Sequence, residues 1–324
     1  MALSDLAVYS EYAYTTMTEV LDQQINLFNA ASNGMIQLGN FPHQGDFSDK
    51  VFFAKIDGLV RRRNAYGSGS VAEKNLSNLV DTMVKVAAGT PPVRMDKGQF
   101  NWIQQNPEVA GAVLGQQLAI ETMADMLNTG IGVLVAAMIQ EAEIYLDVSG
   151  NTAPDDLLTF QNQVSAVAKF GDASSRILGW VMHSKPMHDL MEKNVTNAER
   201  LFVFGTVNVM RDPFGRIMLM SDAPNLINTV PTPDKYHTLG LTSGALRIDQ
   251  NGDYDANEEA VNGDENIKRT FQAEWSYEMG VKGFAWDKTN GGKSPTDAAL
   301  MTSTNWDRVA TSHKDLPGVI LDTH

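Results

Sequence analysis

The chain has 324 residues, 43% hydrophobic and 20% charged, enough apolar material for a core divided into two or three lobes. Its 25 Lys and Arg against 39 Asp and Glu give a net charge of -14, which argues against a surface built to grip phosphate backbones. The absence of cysteine excludes disulfide scaffolding and thiolate-ligated metal sites.

Residues 1–40 read as an arm. No secretory leader is expected at Met1-Ala-Leu-Ser-Asp5, which lacks both a basic and an apolar region. Tyr9, Tyr12, Ala13, Met17, Val20 and Leu21 recur at helical spacing, and Ala30–Gly34 supplies a C-cap. The apolar side of that helix needs cover, either from its own lobe or from a neighbouring molecule.

Asp46–Asp57 is rich in strand formers, and the Gly58–Ser70 stretch, with Arg61, Arg62 and Arg63, reads as a mobile turn. Val71–Val86 resumes as helix or strand, and Gly89-Thr-Pro-Pro92 closes the unit. Such a hairpin has little apolar surface of its own to bury. The arginine run reads as a solvated tip or as an anion contact.

Asn106-Pro107-Glu108 is a helix start, and apolar positions continue through Val113, Ile120, Leu127, Leu134 and Tyr145 to about Leu146. At 1.5 Å per residue this is a rod of about 60 Å, with Gly130 and Gly132 as expected bends. The high Ala and Gly content and the loose heptads favour a spine packed under a sheet over a coiled coil. The longest uncharged apolar run, Gly130–Ile139, is too short to cross a bilayer, so a soluble protein made in a cytosol is expected.

From Asn151 the texture changes. Pro154-Asp-Asp156 opens a second helix that ends by Gly171, Ile177–His183 reads as a buried strand, and Ser184 starts a short helix ending near Asn194. Phe214–Pro224 and Leu239–Ile248 read as further strands, and Ile267–Trp286 as a long strand or hairpin.

Catalytic motifs are missing: no Walker loop, GxGxxG, HExxH or GxSxG occurs. His183 and His188 stand five apart, not four, and His183 reads as a packed junction residue. Asp249, Asn251, Asp253 and Asp255 alternate like the start of a calcium loop, but Gly252 and Ala260 fall where that loop needs other residues. They are weak metal candidates in a run, Asp249–Glu265, of seven acids and no base, which reads as an acidic surface loop.

The serial order of these parts resembles the major capsid proteins of tailed bacteriophages, with the coat fold of phage Hong Kong 97. The most specific segments are Trp180–Asn194 and Gly215–Asp222, similar to the axial core of such coats; Leu239–Asp249 and Glu274–Asp287 fit the later strands. The resemblance implies an α+β fold: an N-terminal arm (1–40), an extended β-hairpin loop (41–100), a peripheral domain with a long spine helix (101–150), an axial domain (151–266) and a return to the peripheral domain (267–324). It implies a structural shell protein with no catalytic residues, cofactor or metal. The shell would be icosahedral, assembled in the bacterial cytoplasm from pentamers and hexamers around double-stranded DNA. Portal, scaffolding and decoration proteins would be partners, with no membrane. Arg61, Arg62 and Arg63 would be inter-subunit contacts.

The family's cleaved scaffolding region is not found, so a separate scaffold, or assembly without one, is expected. Lys50, Lys55 and Lys74 lie where some members cross-link, but no partner Asn or catalytic acid is identifiable. The rival readings are an encapsulin-type compartment, a tail or baseplate protein, and a hydrolase or carbohydrate-binding protein.

Overall fold

A computed structural model describes the chain apart from residues 1, 54–59, 74–77, 96, 154, 195–198, 205–206, 212–215, 231, 262–264 and 266. Lys55, Lys74 and Pro154, each singled out by the sequence, lie outside the described residues.

The N-terminal helical pattern becomes a helix over Ala2–Ala31. Tyr9, Ala13, Met17, Leu21, Ile25 and Phe28 are its buried positions, three or four apart. Asn33 and Gly34, with φ of 52° and 69°, turn the chain out of it. The cover for that buried stripe is the chain's own long helix, Pro107–Ile139. Gly111 and Gly115 make the contact possible. A Cβ on Gly111 would stand 2.5 Å from the Tyr9 carbonyl oxygen, and one on Gly115 would collide with the Ala13 carbonyl. Backbone therefore lies on backbone at this crossing.

The long helix departs from expectation at both ends. Asn106 precedes Pro107, yet its side chain makes no capping hydrogen bond. The helix stops at Ile139, not near Leu146. Gln140 donates to the Trp306 carbonyl at 2.7 Å, and Glu141 pairs with Arg308 at 2.7 Å. The next residues are needed elsewhere: Tyr145–Asp147 is a strand, parallel to Ile320–Asp322. Gly130 and Gly132 let Leu246 and Asn225 approach the helix closely. The helix is long and apolar enough to cross a membrane, but 78% of its most apolar stretch is buried inside the protein, as befits a core helix.

Two large sheets flank this helix. The seven-stranded sheet runs Ile36–Asn40, Leu246–Gln250, Lys268–Val281, Asn78–Gly89, Phe47–Phe53, with Asp255–Val261 and Val93–Met95 also paired to Lys268–Val281. The eight-stranded sheet runs Tyr145–Asp147, Gly318–Thr323, Lys235–Thr242, Ile177–Met182, Ile217–Met220, Val207–Arg211, Glu199–Phe204, with Ile227–Asn228 on Lys235–Thr242. Phe284–Trp286 and Trp306–Arg308 form a small third sheet. Residues 267–324 thus serve both large sheets: Lys268–Val281 centres one and Gly318–Thr323 runs inside the other.

The sequence reading of Leu239–Ile248 as one strand needs correction. Lys235–Thr242 and Leu246–Gln250 are two strands in different sheets. Between them Gly244 turns with φ of 64°, a conformation that suits glycine. Lys282 Nζ donates to Thr242 Oγ1 and the Ser243 carbonyl at this joint.

Candidate inter-subunit surface

The hairpin is anchored at its root and bare at its tip. Phe47–Phe53 pairs antiparallel with Asn78–Gly89, which pairs in turn with Lys268–Val281. Asp49 accepts from Thr82 Oγ1 at 2.8 Å and pairs with Lys288 at 2.6 Å; Lys293 reaches Asp46 at 2.7 Å. The Lys288 hydrogen bond holds the Asp49 carboxyl below the usual range. Behind it, burial pushes Asp81 up to about 6 although the Lys50 charge opposes this.

Beyond the root the chain is exposed. Arg61, Arg62 and Arg63 are exposed, as is every described residue from 60 to 73. Val60 is 94% and Tyr66 98% accessible. The directly opposed pair Val51 and Val80 is also exposed, an apolar patch on the outer face of the hairpin. No ion pair joins the three arginines to a described residue. The tip therefore presents cations and apolar groups that its own subunit does not use.

The weak calcium-loop candidates do not converge. Asp249 is buried and pairs with Arg247 at 2.6 Å. Asn251 is buried and donates to Ser276 Oγ at 2.9 Å. Asp253 accepts from the Ser276 amide at 2.8 Å and pairs with Lys85 at 3.0 Å. Burial pushes the Asp253 carboxyl up, but hydrogen bonds from Ser276 and Lys85 outweigh it and hold the group low. Asp255 is exposed on a strand, opposite Glu274. The run expected as a surface loop is thus largely ordered: Asp255–Val261 is a strand. Among the described residues, no group of three His, Asp or Glu is placed to hold a metal ion.

His183 sits at the strand–helix junction, 3.5 Å from Asp222, its Nδ1 accepting from the Lys185 amide at 3.3 Å. His188 is exposed, and its charge, like that of His183, helps to hold the Asp222 carboxyl low, behind the Ser184 hydrogen bond. Sequence reasoning missed a polar cluster beside it. Asp322, fully buried, accepts from His237 Nδ1 at 2.6 Å and from Tyr145 OH at 2.7 Å, with Lys235 at 3.7 Å. It ties three adjacent strands together at one end of the eight-stranded sheet. Tyr145, the Lys235–His237 pair and Asp322 come from three distant stretches of the chain, so no local motif announces them.

The capsid of Ralstonia phage GP4 is similar in structure, at a TM-score of 0.51 and 12% identity over 90% of this chain and 88% of that one. Weaker likenesses are the capsid of cyanophage Pam1 (TM-score 0.49, 12% identity, 89% and 88%) and the head of Helicobacter pylori bacteriophage KHP40 (0.47, 11%, 90% and 88%). No curated protein matches the sequence. The fold is that of a phage coat subunit, the mixed α+β architecture of Hong Kong 97-type capsids. Residues 5–320 match the model of the Major capsid protein 13-like family, and the chain belongs to that family. It is a phage major capsid protein, a structural shell subunit.

Proposed function

We propose that the protein builds an icosahedral head for a tailed phage and does no catalysis. The segments would act as arm (1–40), extended loop (41–100), peripheral domain (101–150 and 267–324) and axial domain (151–266). Assembly would take place in the bacterial cytoplasm, with portal, scaffolding and decoration proteins as partners and double-stranded DNA inside. An acidic lining offers that DNA few contacts, so it packs without being trapped.

The observation that carries the reading is the bare basic tip of an anchored ribbon. The tip holds Arg61, Arg62 and Arg63 with a single acid, Glu73, within 60–73, while the chain as a whole carries -14. A second copy is therefore a well-matched partner by charge. Exposed ion pairs are individually weak, about 0–1 kcal/mol. Repetition over a closed symmetric shell makes them count.

Negative-stain electron microscopy of the protein expressed with and without its neighbouring genes tests this. Closed shells are expected; tubes, or monomers under every condition, would refute it. Reversing all three arginines to Glu should abolish shells and leave the subunit folded.

A further inference from the structure

The edge strand Asp255–Val261 carries an acid on its inner side. Ala256 and Glu258 are its half-buried positions, while Asp255, Asn257 and Glu259 face solvent. Glu258 lies directly across from Phe271, and the Tyr9 ring of the N-terminal helix meets Phe271 edge-on at 6.1 Å. Five residues further along the helix, Tyr14 stacks on Tyr254 at 4.9 Å, and Tyr254 lies 6.3 Å from Trp275. The seam between helix and sheet is thus aromatic, with a carboxyl group set into it.

That carboxyl lacks what a buried charge needs. Glu258 Oε1, Tyr254 OH and Trp275 Nε1 are all buried without a hydrogen-bond partner. The groups facing Glu258 are Tyr9 from the helix and Tyr254 beside it, both of whose ionisations are driven up to about 12, by burial first and then by the Glu258 charge. On its own strand Asp255 and Glu259 point the other way. Across the sheet its neighbours in register are Thr270, Phe271 and Gln272. Arg94 and Arg269 stand further along the neighbouring strands and have interactions of their own. Glu258 forms no ion pair with a described residue.

We propose that Glu258 is a proton-operated latch for the N-terminal helix: neutral, it lets the helix lie on its own subunit; ionised, it loosens that contact.

The sign follows from burial. Desolvation raises the Glu258 carboxyl from 4.5 to about 7. When the helix lifts, water returns and the group reverts towards its ordinary value. The docked helix is therefore favoured fully below about pH 4.5, and this contribution is lost as pH climbs through about 7. Above that, opening levels off. Half-burial moderates the effect.

The test uses the full-length, unassembled chain. Hydrogen exchange of amides in the N-terminal helix, corrected for intrinsic rates, is followed from about pH 5 to about pH 8. Opening should increase roughly ten-fold between about pH 5 and about pH 7.5 and then flatten. Glu258→Gln should keep the low-pH value throughout; Glu258→Ala serves should the Gln variant not fold. A wild-type profile that is flat with pH overturns the latch, as does a slope that survives loss of the carboxyl. A Glu258 that merely blunts the edge strand would give the flat profile. Failure to form shells would overturn the shell reading and leave this measurement untouched.

Discussion

The N-terminal helix and the hairpin tip differ in who covers them. Both read in the sequence as segments short of apolar cover. The helix finds its cover in cis, on Pro107–Ile139, through a backbone-to-backbone crossing at Gly111 and Gly115. The tip, from Val60 to Glu73, finds none on its own subunit. An amphipathic pattern states that a partner surface exists; it does not state whose. What decides here is the matching notch on the long helix, whereas the described residues of the tip are all exposed.

That contrast can be broken from either side. The largest effect should come from filling the notch. Gly115→Val forces a side chain into the Ala13 backbone and should cost about 3 kcal/mol or more, read by urea unfolding. Unchanged stability would show that the helix does not rest there. Next is Glu258→Gln, which should raise the thermal midpoint at neutral pH and leave it unaltered near pH 4.5, since it removes a buried charge only where one exists. An equal gain at both pH values would deny the acid its role. Smallest for the isolated subunit is Arg61, Arg62 and Arg63 to Glu: unfolding should shift by less than about 0.5 kcal/mol, while assembly fails. A large loss of subunit stability would place the tip among the self-covered segments.

Much of the architecture was readable, and for physical reasons. Buried positions at helical spacing gave the N-terminal helix, and Asn33 and Gly34 its end. Ile177–Met182 is an apolar run long enough for a central strand, and Ser184–Asn194 follows as a helix. The misreadings have a common origin in long-range pairing. Tyr145 fits a helical apolar pattern, but Ile320 in the last strand claims it. Leu239–Ile248 is continuous in apolar character, yet its halves pair with different sheets. The calcium-like alternation of Asp249, Asn251 and Asp253 marks contacts with Arg247, Ser276 and Lys85. Of the candidate surface, the arginine run was visible as charge. The exposed Val51–Val80 pair and the inward Glu258 became visible only with the strand register.

The short crossing at Ser243–Ala245 has a mechanical consequence. A closed container of more than sixty identical tiles sets them at slightly different curvatures, and each tile must then flex somewhere. Here Leu246–Gln250 follows Lys235–Thr242 after three residues, the shortest of the crossings between the sheets, that of residues 267–324 among them, so a tilt between them strains this length of backbone most. Lys282, half-buried and clamped on Thr242 and Ser243, stiffens it. Cutting the clamp with Lys282→Met should broaden the spread of particle diameters; an unchanged size distribution would mean that the bending happens elsewhere.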